Sequence, residues 1–141
     1  MEKIFSKVEP EILLHMVRRL DDIVNQKEFR VDLVSSDNFI QCSSLRLKKG
    51  KTFKPHHHIF RQRTFYKLIA QESWCCIRGK IKCVFYDLDN SIVAERILYP
   101  GDSSFTLRGG HNYVSMEENS IVYEYKTGPY EGQEVDKKFI E

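Results

Sequence analysis

Glu72-Ser73-Trp74-Cys75-Cys76-Ile77-Arg78-Gly79-Lys80-Ile81-Lys82-Cys83-Val84-Phe85-Tyr86-Asp87, continuing through Leu88-Asp89-Asn90-Ser91 to Ile92-Val93-Ala94-Glu95-Arg96-Ile97-Leu98-Tyr99-Pro100-Gly101, is the stretch that decides the fold class. It contains three runs rich in β-branched and aromatic residues, many alternating apolar with polar, as strands do. Arg78-Gly79, Asp89-Asn90 and Pro100-Gly101 punctuate them as turns. The predicted strands are 72–78, 80–87 and 92–99, and the same pattern extends outward to 39–47, 103–107 and 120–125. Further turn signals stand at Lys49-Gly50, Gly109-Gly110 and Gly128-Pro129. Short strands at regular spacing, with no helical pattern between them, argue for an all-β antiparallel sandwich or barrel rather than βαβ units.

The N-terminal segment reads differently. Ile12, Leu13, Met16, Val17, Leu20 and Ile23 fall at spacings of three and four, and Glu9-Pro10 suits a first turn. The expectation is one amphipathic helix over 1–27, packed on the outside of a barrel formed by 28–141, the whole being one domain. His15 then becomes a surface or packing residue. The chain has 141 residues, enough for one core without disulfides. The formal net charge is only +2, which gives no argument for nucleic acid as a partner. No stretch approaches the ~20 apolar residues of a membrane span, and the charged N-terminus lacks a signal-peptide core. Cys42, Cys75, Cys76 and Cys83 show no CxxC spacing, and Cys75 and Cys76 should face opposite sides of a strand. Reduced thiols and a cytoplasmic location are expected.

The chemistry concentrates at His56-His57-His58. In extended chain, residues two apart share a face, so His56 and His58 aim at one point while His57 faces away. Neutral imidazole is the commonest protein ligand for Zn, Fe, Ni or Cu. A histidine pair alone also occurs at a solvated strand end, so the surrounding spacing carries weight. Gly50 precedes His56 by six positions, and six residues lie between Glu72 and Gly79. Downstream come Gly101, then Gly109-Gly110-His111.

These residues resemble the signature of the cupin superfamily, G-x5-H-x-H-x3–4-E-x6-G followed by G-x5-P-x-G-x2-H-x3-N. The chain departs from it in several places. Thirteen residues, 59–71, separate His58 from Glu72. Leu107 stands for the proline, Ser115 for the final asparagine, and one residue is missing between Gly109 and His111. An ungapped alignment places Asn112 at the last ligand position; His111 is preferred because imidazole binds a transition metal better than a carboxamide. The resemblance implies a double-stranded β-helix, a jelly-roll-like barrel, that holds one divalent transition metal (Fe, Mn, Ni or Zn) on His56, His58, Glu72 and His111. It also implies a homodimer. The closing stretch from Tyr123 to Tyr130, with Asp136-Lys137 and Phe139, is similar to small cupin-fold metalloproteins encoded with bacterial surface-polysaccharide genes.

Gly79 fits a hairpin turn that needs positive φ, after which Glu72, Trp74 and Cys76 share one strand face. Arg61, Arg63 and Arg108 flank the expected site and are candidates for gripping a carboxylate or phosphate, as guanidinium does in bidentate fashion. Tyr113 and Tyr66 offer polar handles on aromatic bodies. The expected partner is a small polar molecule or sugar derivative. Three functions fit: a metal-dependent enzyme of oxygenase or isomerase type, a metal-dependent binding or sensing module without turnover, and a sugar-nucleotide epimerase or ketoisomerase. No catalytic base is assigned. A basic groove sized for a diphosphate would favour the third.

Overall fold

A computed structural model gives the fold; it describes residues 1–46, 48, 49, 51–53, 55, 69–128 and 138–140. The elements are β1 (Glu2–Phe5), β2 (Leu13–Arg18), α1 (Leu20–Val24), β3 (Arg30–Asp32), β4 (Ser43–Leu45), β5 (Glu72–Arg78), β6 (Ile81–Tyr86), β7 (Ile92–Leu98), β8 (Ser103–Thr106), β9 (Gly110–Ser115) and β10 (Ile121–Lys126). Every pairing between them is antiparallel. The chain is therefore all-β, as its turn-punctuated sequence predicts.

One sheet has the order β1-β2-β8-β5-β10 and another the order β7-β6-β9. A single core joins them. Ile4, Val17 and Cys76 from the first sheet pack with Ile81, Cys83, Phe85 and Leu98 from the second. A two-stranded ribbon, β3-β4, covers the other face of the first sheet. There Leu33, Val34 and Ile40 close over Met16 and Phe105. The five-stranded sheet is thus buried on both faces at β2 and β8. Among the described residues no helix is long and apolar enough to cross a membrane.

The N-terminal helix expected over 1–27 is corrected. Residues 13–18 form β2, a central strand, and the only helix among the described residues is the five-residue α1. The cause is burial on both faces. Leu14, His15, Met16, Val17 and Arg18 are all buried, so apolar–polar alternation is lost, and the apolar residues Leu13, Leu14, Met16 and Val17 fall at spacings that mimic a helical stripe. The segment is part of the sheet and not an appendage to it. Arg18, despite its charge, is buried as well. Its Nη2 donates to the Asp22 carbonyl (3.2 Å), Gln26 Oε1 (3.0 Å) and Ser44 Oγ (3.4 Å), tying β2 to the β3-β4 ribbon.

Two buried carboxylates fasten the ends. Asp87, after β6, accepts from Ser6 Oγ at 2.5 Å and from the Lys7 amide at 2.6 Å, which locks the β1-β2 turn against the β6-β7 turn. Asp102 accepts from Arg19 Nη1 (2.7 Å) and from the Leu20 amide (3.0 Å), holding the start of α1. All four cysteines are free, and Cys76 is fully buried while Cys75 is half-buried on the opposite side of β5.

The β5-β6 turn is built on Gly79, whose φ is +83°. A Cβ added there would collide with the Ser120 side chain and lie 3.0 Å from the Ser120 Cα. We expect Gly79→Ala to cost about 1–2 kcal/mol from the left-handed backbone alone. Urea denaturation should show it as a lower midpoint with an unchanged slope.

Candidate metal centre

The site grows from strand alternation. On β5, Glu72, Trp74 and Cys76 share the inner face, as expected from their spacing. Glu72 pairs with Thr106 and Trp74 with Ser104 across β5-β8, and the same two β8 residues pair with His15 and Val17 of β2. From the facing sheet, β9 brings His111 opposite Phe85 and Tyr113 opposite Cys83. A polar lining thus interrupts an otherwise apolar core.

Glu72 and His111 meet in that lining, with Glu72 Oε1 3.2 Å from His111 Nε2. Both side chains are largely sheltered, at 12% and 24% exposure, so the pair opens only partly to solvent. The other ring nitrogen of His111, Nδ1, is buried and has no hydrogen-bond partner among the described residues. Trp74 Nε1 donates to the same Glu72 oxygen at 2.8 Å. The indole stacks on Tyr113 at 4.1 Å between ring centroids, and the Tyr113 ring lies 5.1 Å from that of His111.

The other expected residues fall as follows. Asn112, the alternative to His111, is exposed, and its Oδ1 accepts from the Tyr113 amide at 2.9 Å. Alternation on β9 therefore puts His111, and not Asn112, against Glu72. Tyr113 is a packing residue whose hydroxyl is held by Ser104 Oγ at 3.1 Å. Burial pushes its phenol well above the usual range, with the Ser104 contact only partly offsetting this, so it stays protonated. Arg108 is exposed, one residue before the Gly109-Gly110 turn. His56, His58, Arg61 and Arg63 lie outside the described residues. Among the described residues no group of three or more His, Cys, Asp or Glu is disposed to hold a metal ion. Two of the four expected ligands, Glu72 and His111, lie within that described part, and they are in contact.

One functional-looking group was missed. His15 is fully buried beside this lining, stacked on Phe85 at 4.5 Å. Its Nε2–H donates to the Tyr86 carbonyl and its Nδ1 accepts from Thr106 Oγ1, each at 3.2 Å. Desolvation lowers its pKa to about 4. Gly109 leaves the room for it, since a Cβ there would sit 3.2 Å from His15 Nε2. The signal that could have found it is period-two alternation, His15 with Val17 on one face and Leu14 with Met16 on the other. Cys83 faces the same core, and burial pushes its thiol up to about 12, which makes it inert.

A second feature lies at the β3-β4 ribbon. Lys27, Glu28, Phe29, Arg46, Lys48 and Lys51 line a cleft of about 650 Å³. The Lys51 ammonium stands 5.1 Å over the Phe29 ring and 5.5 Å over that of Phe53. Arg46 is held by donating to the Gln26 carbonyl at 2.8 Å.

No protein-family model, curated protein or solved structure matches the chain.

Proposed function

We propose that this chain is a cupin-type metalloprotein that holds one divalent transition metal on His56, His58, Glu72 and His111 and binds a small polar, sugar- or carboxylate-like ligand there. One observation carries the reading: the contact between Glu72 and His111, distant in sequence, on the inner faces of opposed sheets. Their 3.2 Å gap is what two neighbouring ligand atoms show when each lies about 2.1 Å from a shared ion and they subtend about 100° there. Three imidazoles and a carboxylate suit Fe(II), Mn(II), Ni(II) or Zn(II) and leave open positions, where the ion would supply Lewis acidity to a bound oxygen. Because the phenol of Tyr113 is capped by Ser104, no residue of the described lining is assigned as a general base. Binding is therefore the core of the proposal, with turnover a further step.

Elemental analysis of the purified, untagged chain tests it. About one equivalent of a divalent transition metal per chain is expected, and His56→Ala with His58→Ala should abolish it. A wild type without metal, or a double variant with unchanged content, overturns the reading.

The basic cleft favours a second reading, that the ligand is a sugar nucleotide. Four cations against one acid, beside two phenylalanine rings, suit a diphosphate joined to a planar base. Calorimetric titration with UDP should show binding that weakens as salt rises. Lys48→Glu with Lys51→Glu should weaken it about tenfold, as exposed charges contribute up to about 1 kcal/mol each. Absence of heat, or an unaffected double variant, removes this reading.

A further inference from the structure

We infer that Trp74 is a positioning residue for the Glu72 carboxylate, which its indole N–H fixes in the orientation that ligates the metal. The inference rests on the reading of Glu72 as a metal ligand. Trp74 is the single tryptophan of the chain and stands two residues after Glu72 on the same strand face. That spacing lets the indole reach back along β5, and Nε1 donates to Glu72 Oε1 at 2.8 Å. A glutamate side chain has three rotatable bonds, so an unbraced carboxylate loses orientational freedom whenever it takes a ligand. A donor that already holds it removes part of that cost.

The donor is itself immobilised. The indole and the Tyr113 ring are nearly parallel, 10° apart at 4.1 Å. Ser104 holds the Tyr113 hydroxyl from β8, where it is the register partner of Trp74. Tyr113 in turn abuts His111, and His111 abuts Glu72. Glu72, Trp74, Tyr113 and His111 therefore form a closed ring of contacts, with two proposed ligands and two aromatic braces between the facing sheets. Indole N–H is a donor only, so Trp74 neither ligates nor titrates. What it can do is set the direction of an oxygen. Groups that orient metal ligands typically contribute 10–100-fold in affinity. The competing account is that a buried indole N–H needs some acceptor and Glu72 happens to be it.

Phenylalanine separates the two accounts, because Trp74→Phe keeps the ring on Tyr113 and deletes only the donor side. Zn(II) alone is the probe. Wild type and variant are titrated calorimetrically, with near-ultraviolet circular dichroism checking that Tyr113 packing persists. In parallel, the one indole N–H resonance of ¹⁵N-labelled wild type is followed, so the test stands even if the variant does not fold. We expect the wild type to bind Zn(II) with a clear displacement of that resonance, and the variant to bind about 10–100-fold more weakly. Wild-type binding with the variant within threefold, or with an unmoved indole resonance, overturns the positioning role and leaves the metal reading standing. A wild type that binds neither Zn(II), Mn(II), Fe(II) nor Ni(II) overturns both.

Discussion

Replacing Glu72 and His111 together by alanine is expected to abolish the stabilisation that a divalent metal gives the wild type. A ligand that binds only the folded state adds RT ln(1 + [L]/Kd), about 2.7 kcal/mol at a hundredfold excess over Kd. For a chain of 141 residues this corresponds to a rise in Tm of about 8 °C, at about 3 °C per kcal/mol. The double variant should show no rise, and chelator should return the wild type to its metal-free value. Removing both side chains is the cleaner design. Alanine at His111 alone would leave the largely sheltered Glu72 carboxylate without its imidazole neighbour, and the loss of a polar contact would be mixed with the loss of a ligand. A variant that still gains several degrees from Zn(II) would place the ion elsewhere and sink the assignment of this pair.

How much of this was legible depends on which faces of a strand are buried. The segments 72–78, 80–87, 92–99 and 103–107 became β5 to β8 with ends shifted by at most two residues, because each meets a turn the backbone demands. Arg78-Gly79 is the clearest, since the positive φ at Gly79 is what a tight hairpin between β5 and β6 needs. The β2 sequence reads as helix because both its faces are covered, and alternation vanishes when nothing on a strand sees water. The β9 sequence carries no strand signal for the opposite reason. Among the described residues it pairs only with β6, and it exposes Asn112 and Val114 while turning inward His111 and Tyr113, whose polar atoms blunt the apolar signal. The nearness of Glu72 and His111 is implied by the cupin resemblance, Glu72 through its spacing to Gly79 and His111 through ligand chemistry where an ungapped alignment gives Asn112. Its aromatic bracing was not legible, because stacking between β5 and β9 depends on how the two sheets face each other.

The same helix-like spacing of β2 hides the group expected to dominate acid sensitivity. Between pH 6.5 and about 4, stability should fall by roughly 3 kcal/mol through His15 alone, at about 1.4 kcal/mol per pH unit. In the unfolded chain the imidazole takes up a proton below pH 6.5. In the native core desolvation holds it neutral down to about 4, a cost only partly offset by the Tyr86 carbonyl. Through that window the unfolded state binds one more proton than the native state, so acidification favours unfolding. Below it, protonation of both states ends the His15 contribution. The lowered carboxyls of Glu2, Asp22 and Asp87 then take over, because each must be protonated against a native hydrogen bond. Those groups share the sign of His15 but act at lower pH, which makes the window diagnostic. Urea midpoints at pH 7, 6, 5 and 4.5 should decline steadily in the wild type. In His15→Gln, whose amide can still donate to the Tyr86 carbonyl, the profile should be nearly flat above pH 5, whatever its absolute stability. Parallel profiles would mean that the imidazole is charged in the native core, against its place between Phe85, Thr106 and the Tyr86 carbonyl.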